Sequence, residues 1–351
     1  SLVPEAGGSS ASSLNGDALP ELLKRHGFDQ TQHNQIREDL QAGRVSLSQN
    51  RLHPKTHIED ISRDELQFTL DRQTCIDAGN KALADGQCAV VTLAAGAGSR
   101  WTQGAGVVKA LHPFAPLNGI FRSFLEVHAA KSYMTAQSAG ARIPHVFTTS
   151  YLTHAPIGKW LATFKERHPA LCEGVDIVLS EGKSVGLRLI PTERDLRYAW
   201  YEIPQEKLDE QAEKMRDSVR QALIRWVRES GEGADYRDNL PLQCLHPVGH
   251  WYEVPNLFLN GTLHQLLKNA PSLKVLLLHN IDTLGAGLDP ALLGHHLLTE
   301  APLTYEVIQR KFEDVGGGLA RVDGVPRLVE GFALPREEDE FRLSFYNTMT
   351  T

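Results

Sequence analysis

Residues 87–111, QCAVVTLAAGAGSRWTQGAGVVKAL, constrain the fold of this chain more than any other stretch. An apolar, β-rich run from Cys88 to Leu93 predicts a buried strand, and a loop of small residues follows from Ala94 to Gly98. Ser99-Arg100 ends that loop, and Lys109 lies further on. Exposed backbone N–H groups beside two cations suit a polyphosphate. A plain tight turn between strand and helix fits the same residues, so both interpretations stay open.

Further along the chain, helical and extended patterns alternate. Apolar residues recur at helical spacing in some segments, and short apolar runs bounded by turn residues predict strands between them. The predicted helices are 121–140, 155–168 and 257–269, and the predicted strands are 143–149, 175–180, 185–191 and 273–278. This βαβ rhythm predicts an α/β fold, with a mostly parallel mixed sheet and helices on both faces.

Two further segments carry distinctive patterns. Residues 204–230 place opposite charges at i,i+4 spacing, which predicts an amphipathic surface helix or, as the alternative, a coiled-coil partner. Asp323-Gly324 lies between two short apolar runs within 321–329 and predicts a β-hairpin.

The N-terminal part has a different composition. Residues 1–16 are small and polar and are predicted to be disordered. Residues 17–85 are predicted to form a small helical appendage, and residues 86–351 the core domain. The predicted helices of the appendage are 18–26, 30–42 and 63–85, with polar, irregular chain over 50–63.

Bulk properties exclude several classes of protein. The chain has 351 residues, 41% of them hydrophobic, so it can bury a substantial core. Its net charge of −7, with acids and bases interspersed, argues against a nucleic-acid partner. No apolar run is long enough to span a membrane, so no membrane partner is expected. The cysteines are scattered and form no Cys-x-x-Cys, which predicts a reducing cytoplasm. Oligomeric state is not predicted.

Polar residues follow the most apolar predicted strand. Its run of leucines leads into His279, Asn280 and Asp282 within the segment LLLHNIDTLGAG. Ligands of open α/β sheets gather at the carboxyl ends of strands, and Mg²⁺ prefers one or two carboxylates plus phosphate oxygens. Asp282 is therefore a candidate Mg²⁺ ligand. The alternative is that it caps a following short helix.

Two other chemistries fit the sequence less well. His246 and His250 have the spacing of a zinc pair, but Pro247 and Gly249 between them argue against a helix. Residues 182–186 match the Gly-x-Ser-x-Gly elbow of serine hydrolases. That elbow needs a following helix, whereas the next residues have the pattern of a strand.

Seven short blocks, in order along the chain, resemble the UTP–sugar-1-phosphate uridylyltransferases, the UDP-sugar pyrophosphorylase family. The glycine-rich loop of that family is the block that matches the segment described first. The resemblance spans about residues 20 to 351. The blocks are Leu93 to Trp101, Val108-Lys109, Thr148 to His154, Gly249-His250, His279 to Ala286, Gly316 to Gly318 with Glu330, and Phe341 to Thr350.

The resemblance implies a Rossmann-like nucleotidyltransferase core that transfers UMP from UTP to a sugar 1-phosphate. It implies Mg²⁺ as the cofactor, bound by Asp282, and catalytic roles for Arg100 and Lys109 in neutralising phosphate charge. The residues that it implies for nucleotide binding are Leu93, Ala94, Ala95, Gly96, Ala97, Gly98, Ser99, Gly249 and His250. Those that it implies for sugar binding are Asn280, Gly317, Glu330 and Asn347.

This sequence also departs from the family pattern. Ala95 stands where the family has glycine, Val108 replaces a proline, Trp251-Tyr252-Glu253 replaces Gly-Asp beside the expected base site, Thr283 replaces an asparagine, and Met349-Thr350 replaces Asn-Asn. The family continues through a basic segment and a small C-terminal domain, so we expect a C-terminally truncated chain. A non-catalytic or weakly active nucleotide- or sugar-binding relative is therefore the alternative function. A glycosyltransferase is disfavoured because no compact Asp-x-Asp motif is found. The sequence does not identify the sugar.

Overall fold

A computed structural model describes residues 19–44, 51–66, 70–96, 108–182, 185–187, 245–247, 249–311, 314 and 317–346. The helices are α1 (Leu19–Arg25), α2 (Gln30–Gln41), α3 (Arg72–Ala84), α4 (Phe124–Ala139), α5 (His154–Arg167), α6 (Pro169–Gly174), α7 (His250–Leu259), α8 (Thr262–Asn269) and α9 (Pro290–Thr299). Short 3₁₀ turns cover Arg63–Leu66, Lys109–Leu111, Gly331–Ala333 and Glu337–Arg342.

The strands are β1 (Ile58–Asp60), β2 (Cys88–Leu93), β3 (Pro113–Leu117), β4 (Ile120–Ser123), β5 (Ile143–Thr149), β6 (Val175–Glu181), β7 (Val185–Leu187), β8 (Leu245–Pro247), β9 (Val275–Asn280), β10 (Ile308–Gln309), β11 (Gly318–Val322), β12 (Val325–Val329) and β13 (Phe345–Tyr346).

The main sheet has the strand order β6-β5-β2-β9, and every neighbouring pair in it is parallel. The central strand β2 is buried along its whole length, as expected for a strand covered on both faces. Its side chains alternate between the two faces. Cys88 and Val90 pack with α3, α4 and α9, whereas Ala89 and Val91 pack with α7 and α8. The predicted α/β fold with helices on both faces is therefore confirmed.

Helix α4 begins later than the predicted 121–140, because residues 120–123 pair with β3 as strand β4. Ser123 ends that strand and caps the helix. Its hydroxyl accepts a hydrogen bond from the Glu126 N–H, and the Glu126 carboxylate accepts one from the Ser123 N–H. This capping box fixes the start of the helix. The helix ends at Gly140, which adopts the left-handed conformation that glycine favours.

The predicted helix 257–269 is wrong in its bounds, since two helices, α7 and α8, occupy the region. Gly261 separates them with a φ of 79°, a conformation that interrupts a helix. The hairpin predicted at Asp323-Gly324 is confirmed as β11–β12, and both turn residues have positive φ. The most apolar strand, predicted over 273–278, lies at 275–280. Of the predicted strand 185–191, residues 185–187 form β7, and the rest lies outside the described residues, as does the predicted helix 204–230.

The N-terminal part of the chain contributes a strand to a second sheet. Strand β1 lies within the segment predicted as irregular and pairs antiparallel with β11, so that β1, β11 and β12 form a second sheet. The predicted helix 63–85 is divided into a 3₁₀ turn and α3, because Asp71 caps α3 at the Thr74 N–H. The division into an appendage and a core at residue 85 stays a prediction.

Helices α3 and α9 approach each other very closely. A Cβ atom at Gly79 would overlap the Pro290 carbonyl, and a Cβ atom at Gly294 would overlap the Cys75 carbonyl. Only glycine allows such backbone contact. The helix that leads into β2 is thereby packed directly on the helix that follows β9. In the residues that the structure describes, no helix is long and apolar enough to cross a membrane.

Candidate functional site

The carboxyl ends of β2, β5 and β9 meet at one edge of the main sheet. The register pairs Leu93 with Asn280 and Thr92 with Phe147, so the chain leaves these three strands side by side. This is the edge where ligands bind in open α/β sheets. The two segments that the sequence singled out, after Leu93 and after Asn280, therefore begin next to each other.

Lys109 and Asp282 form an ion pair at this edge, with Nζ and Oδ2 separated by 2.6 Å. The Lys109 side chain is mostly buried, whereas that of Asp282 is half-exposed, at 18% and 46%. Burial raises the pKa of the Asp282 carboxyl, but the hydrogen bond and charge of Lys109 outweigh it and lower the pKa below its ordinary value. Asp282 is thus an anion facing solvent. No helix begins at Asp282, so its carboxylate does not act as a helix cap.

Asn280 precedes this carboxylate by two residues at the end of β9. Its side-chain oxygen Oδ1 is buried and has no hydrogen-bond partner among the described residues. Buried polar atoms are nearly always hydrogen-bonded, so this unpaired acceptor is a candidate partner for a ligand that donates a hydrogen bond.

The turn after β2 is held from inside the protein. Leu93, Ala94 and Ala95 are buried, and the Ala94 N–H donates to Thr148 Oγ1 at 3.0 Å. The Ser150 hydroxyl donates to the Ala95 carbonyl at 2.7 Å. Gly96 follows, half-buried, and a Cβ atom there would meet nothing. The backbone of 93–95 is therefore a fixed base for the loop. Ala97, Gly98, Ser99 and Arg100 lie outside the described residues.

A buried glutamate supports that turn. It belongs to the segment Trp251-Tyr252-Glu253, which departs from the family pattern. Glu253 is 6% exposed, and it accepts a hydrogen bond from the Thr148 hydroxyl and one from His250 Nδ1, the latter at 2.7 Å. The hydrogen bond from His250 to Glu253 raises the pKa of His250, against the opposing effect of burial. We call Thr148, Glu253 and His250 the glutamate bridge. The His250–Glu253 spacing of i,i+3 at a helix start was the sequence signal for it.

Gly249 and His250 lie where the bridge reaches the site. Gly249 has a φ of 85° and precedes the first turn of α7. The charges of Asp282 and Lys109 both affect the pKa of His250, so these three predicted residues lie in one electrostatic environment.

Three buried histidines lie between α4 and the other face of the main sheet. His128, His145 and His279 are each at most 2% exposed, and the sequence analysis missed their association. Burial lowers the pKa of His128 to about 3 and that of His279 to about 4, and it lowers the pKa of His145 well below its ordinary value. They are therefore neutral. The sequence did contain a signal for this association. Each of three apolar strands carries a polar residue on the side that faces α4.

The predicted sugar-binding residues are divided between two places. Asn280 lies at the main sheet, whereas Gly317 and Glu330 lie at the end of the second sheet. A Cβ atom at Gly317 would be 2.6 Å from the Glu330 Cα atom, and the buried Arg310 donates to the Gly317 carbonyl. Close backbone packing thus accounts for a glycine at 317. Glu330 is exposed. Asn347 lies outside the described residues.

The described residues contain no cluster of three or more histidine, cysteine, aspartate or glutamate side chains that could hold a metal ion. Among them, then, no cage of the kind that structural zinc requires is present. The exposed carboxylate of Asp282 fits Mg²⁺ better, because that ion is commonly held by one or two carboxylates together with phosphate oxygens of a substrate.

Comparison with known proteins supports the resemblance. Residues 234–348 match the family model described as UTP–glucose-1-phosphate uridylyltransferase. The UTP–glucose-1-phosphate uridylyltransferase of Saccharomyces cerevisiae is 32% identical over 136 residues. That match covers 36% of this chain and 27% of the yeast protein. This part of the chain is therefore similar to the UDP-sugar uridylyltransferases.

Solved structures of low sequence identity share the fold. The UDP-glucose phosphorylase of Trypanosoma brucei has a TM-score of 0.60 at 18% identity, with 97% of this chain and 62% of that chain covered. A mutant UDP-glucose pyrophosphorylase of Leishmania major, solved in complex with UDP-glucose, has a TM-score of 0.57 at 17% identity and the same coverage. The present chain therefore spans less than two thirds of the length of these two proteins.

Proposed function

We propose that this chain transfers UMP from UTP to a sugar 1-phosphate, giving a UDP-sugar and pyrophosphate, with Mg²⁺ as the cofactor. The observation that carries the proposal is the Lys109–Asp282 pair at the adjoining ends of β2 and β9. A cation and an exposed anion at this edge suit a polyphosphate and its divalent ion, respectively. The similarity of part of the chain to UTP–glucose-1-phosphate uridylyltransferases supports the same reaction.

The reaction needs positioning and charge neutralisation more than covalent chemistry. An oxygen of the sugar 1-phosphate attacks the α-phosphorus of UTP, the bond from that phosphorus to the bridging oxygen breaks, and pyrophosphate leaves. Lys109 would move its ammonium group from Asp282 to a phosphate oxygen, where it offsets the developing charge. Arg100, with the backbone from Gly96 to Ser99, would hold the phosphates of UTP.

Asp282 would hold Mg²⁺, which supplies charge neutralisation of the phosphates when it is bound. The side-chain oxygen Oδ1 of Asn280, which has no partner among the described residues, would accept a hydrogen bond from a sugar hydroxyl. Gly249 and His250 would lie beside the nucleotide, and Gly317, Glu330 and Asn347 beside the sugar. The free thiols of Cys75, Cys88 and Cys172 fit a cytoplasmic location.

Pyrophosphate release tests the proposal. The chain is incubated with UTP, Mg²⁺ and a panel of sugar 1-phosphates, and we expect turnover with at least one of them. Arg100→Ala and Asp282→Asn should each lower turnover by at least ~100-fold, as loss of a transition-state charge contact does. Asp85→Asn is the matched control, since Asp85 is an exposed acid paired with Lys81 just before the opposite end of β2. Nucleotide binding without turnover would instead indicate the non-catalytic relative.

A further inference from the structure

The buried histidines are connected in a chain whose proton positions follow from their partners. His279 Nδ1 lies 2.9 Å from the Asn280 carbonyl, and a carbonyl oxygen only accepts hydrogen bonds. Nδ1 of His279 therefore carries the proton. Because the ring is neutral, its Nε2 is an acceptor, and the Thr92 hydroxyl 3.0 Å away donates to it.

The next links follow by the same rule. The single proton of the Thr92 hydroxyl is used at His279, so the contact of 2.8 Å with His145 Nε2 must be a donation from that nitrogen to Thr92. His145 Nδ1 is then bare and accepts from the Ser132 hydroxyl at 2.9 Å. The histidine chain of Ser132, His145, Thr92 and His279 thus has one direction. Reversing any link would place two protons or none between the neighbouring atoms.

A parallel contact fixes the next carbonyl. His128 Nε2 lies 2.8 Å from the Ile281 carbonyl and must donate to it. After the acid, Lys131 of the same helix donates to the Leu284 carbonyl at 2.6 Å and to the Ala286 carbonyl. The backbone from 280 to 286 is therefore held by α4 and the histidine chain on both sides of Asp282. We call this segment the Asp282 turn.

We propose that the histidine chain and His128 are positioning residues that set the conformation of the Asp282 turn. Aliphatic side chains would fill the same space without burying imidazoles and hydroxyls, whose burial is unfavourable unless each is hydrogen-bonded. The bonds end on two consecutive carbonyls, directly before the candidate metal ligand. Partners that orient a metal ligand from behind affect metal affinity strongly. Only the role of Asp282 in this inference rests on the proposed function.

Two pairs of matched variants test the proposal. Thr92→Val removes the hydroxyl at nearly unchanged shape, and Thr92→Ser retains it. His128→Leu removes the donor to Ile281, and His128→Gln retains an N–H at a similar reach. We expect Thr92→Val and His128→Leu to show ~10-fold faster amide hydrogen exchange in a peptide covering 280–286, with little change in α9. Thr92→Ser and His128→Gln should exchange like the wild-type protein.

The second measurement is the gain in UTP affinity that Mg²⁺ provides, by calorimetry with and without the ion. Thr92→Val and His128→Leu should lose ~10-fold of that gain while they keep the affinity for metal-free UTP, and both conservative variants should restore it. Exchange that rises equally in all segments, or a failure of both conservative variants, overturns the proposal. The proposal is also overturned if NMR of labelled imidazole rings finds the His279 proton on Nε2. A wild-type protein without any Mg²⁺ gain refutes the proposed function instead, because the exchange result does not depend on the metal.

Discussion

The two faces of the main sheet support the site with opposite kinds of polar network. Under α4, the histidine chain consists of neutral groups that are all buried and ends on the backbone before Asp282. Under α7, the glutamate bridge joins a buried carboxylate to the half-exposed His250 and ends on the backbone after Leu93. Each network thus fixes one of the two strand ends at the site.

The difference follows from access to water and countercharge. A charge on the histidine chain would lie next to other imidazoles and Lys131, and burial keeps these rings neutral. The glutamate bridge extends to a half-exposed imidazole, whose protonated form would compensate the charge of the carboxylate. One sheet therefore holds neighbouring turns by two mechanisms that respond oppositely to pH.

The acid limb of the stability profile should show the largest effect. Unfolded histidines bind protons below about pH 6.5, whereas folded His279 and His128 do so only near pH 4 and 3. The native state thus binds fewer protons, and its stability should fall by roughly 1 kcal/mol per pH unit for each histidine between those limits. Lys131 and the neighbouring histidine oppose protonation of His128, and only Asp282 and the Ile281 carbonyl favour it. Urea unfolding at a series of pH values measures the slope, which should be shallower in His128→Gln. An equal slope would contradict a neutral His128 in the native state.

Loss of the glutamate should be the largest single substitution effect. Glu253→Leu leaves the Thr148 hydroxyl and His250 without their shared acceptor, and it should destabilise the protein by about 3 kcal/mol. Glu253→Gln keeps an acceptor for Thr148 and should cost about 1 kcal/mol. Denaturant unfolding at neutral pH measures both. Both variants remove the charge, so equal costs would mean that the hydrogen-bond acceptor retained by glutamine contributes nothing to stability.

The far end of the histidine chain should be less sensitive. Ser132→Ala leaves His145 Nδ1 without a donor, at an expected cost of about 1 kcal/mol. Ser132 lines a cavity of about 850 Å³, so water can replace the lost hydroxyl. Thermal or urea unfolding measures the change, with Ser138→Ala on the exposed side of α4 as the control. If Ser132→Ala lowered the free energy of unfolding more than Glu253→Leu does, the expected order of sensitivity of the two faces would be wrong.

The alkaline limb should show the smallest effect. The raised pKa of His250 means that its protonated form stabilises the native state below pH 6.5, and that this contribution is lost as pH rises through the folded pKa. Because His250 is half-exposed, the loss should be under about 1 kcal/mol and should weaken further with salt. The comparison is between wild type and His250→Gln, unfolded in urea at pH values on either side of 6.5. If the contribution of His250 to stability were lost on acidification and not on alkalisation, the stabilising contact between His250 and Glu253 would be contradicted.

The sequence predicted those features that depend on local pattern. The continuous apolar run Cys88–Leu93 was sufficient to predict a strand buried on both faces, and Asp323-Gly324 to predict a hairpin. Strand β1 was missed because it has three residues and its partner β11 is distant in the chain. The candidate site was predicted where single residues follow a strand, as at Asp282.

The supporting networks were beyond such a prediction. His128, His145 and His279 meet only because β2 lies between β5 and β9 and α4 covers that face, and the strand order is not written in any local pattern. Glu253 was considered only as a bulky departure from the family motif. Its role depends on Thr148, a residue of β5 whose hydroxyl faces α7.

The glycine contact between α3 and α9 has a practical consequence for the choice of shortened variants of this chain. A fragment that starts at residue 86 would keep every strand of the main sheet, yet it would expose the backbone groove of α9 that Gly79 fills. A shortened version should therefore start ahead of Asp71, so that the two helices remain interlocked. The helix that leads into β2 and the helix that follows β9 would then stay packed against each other.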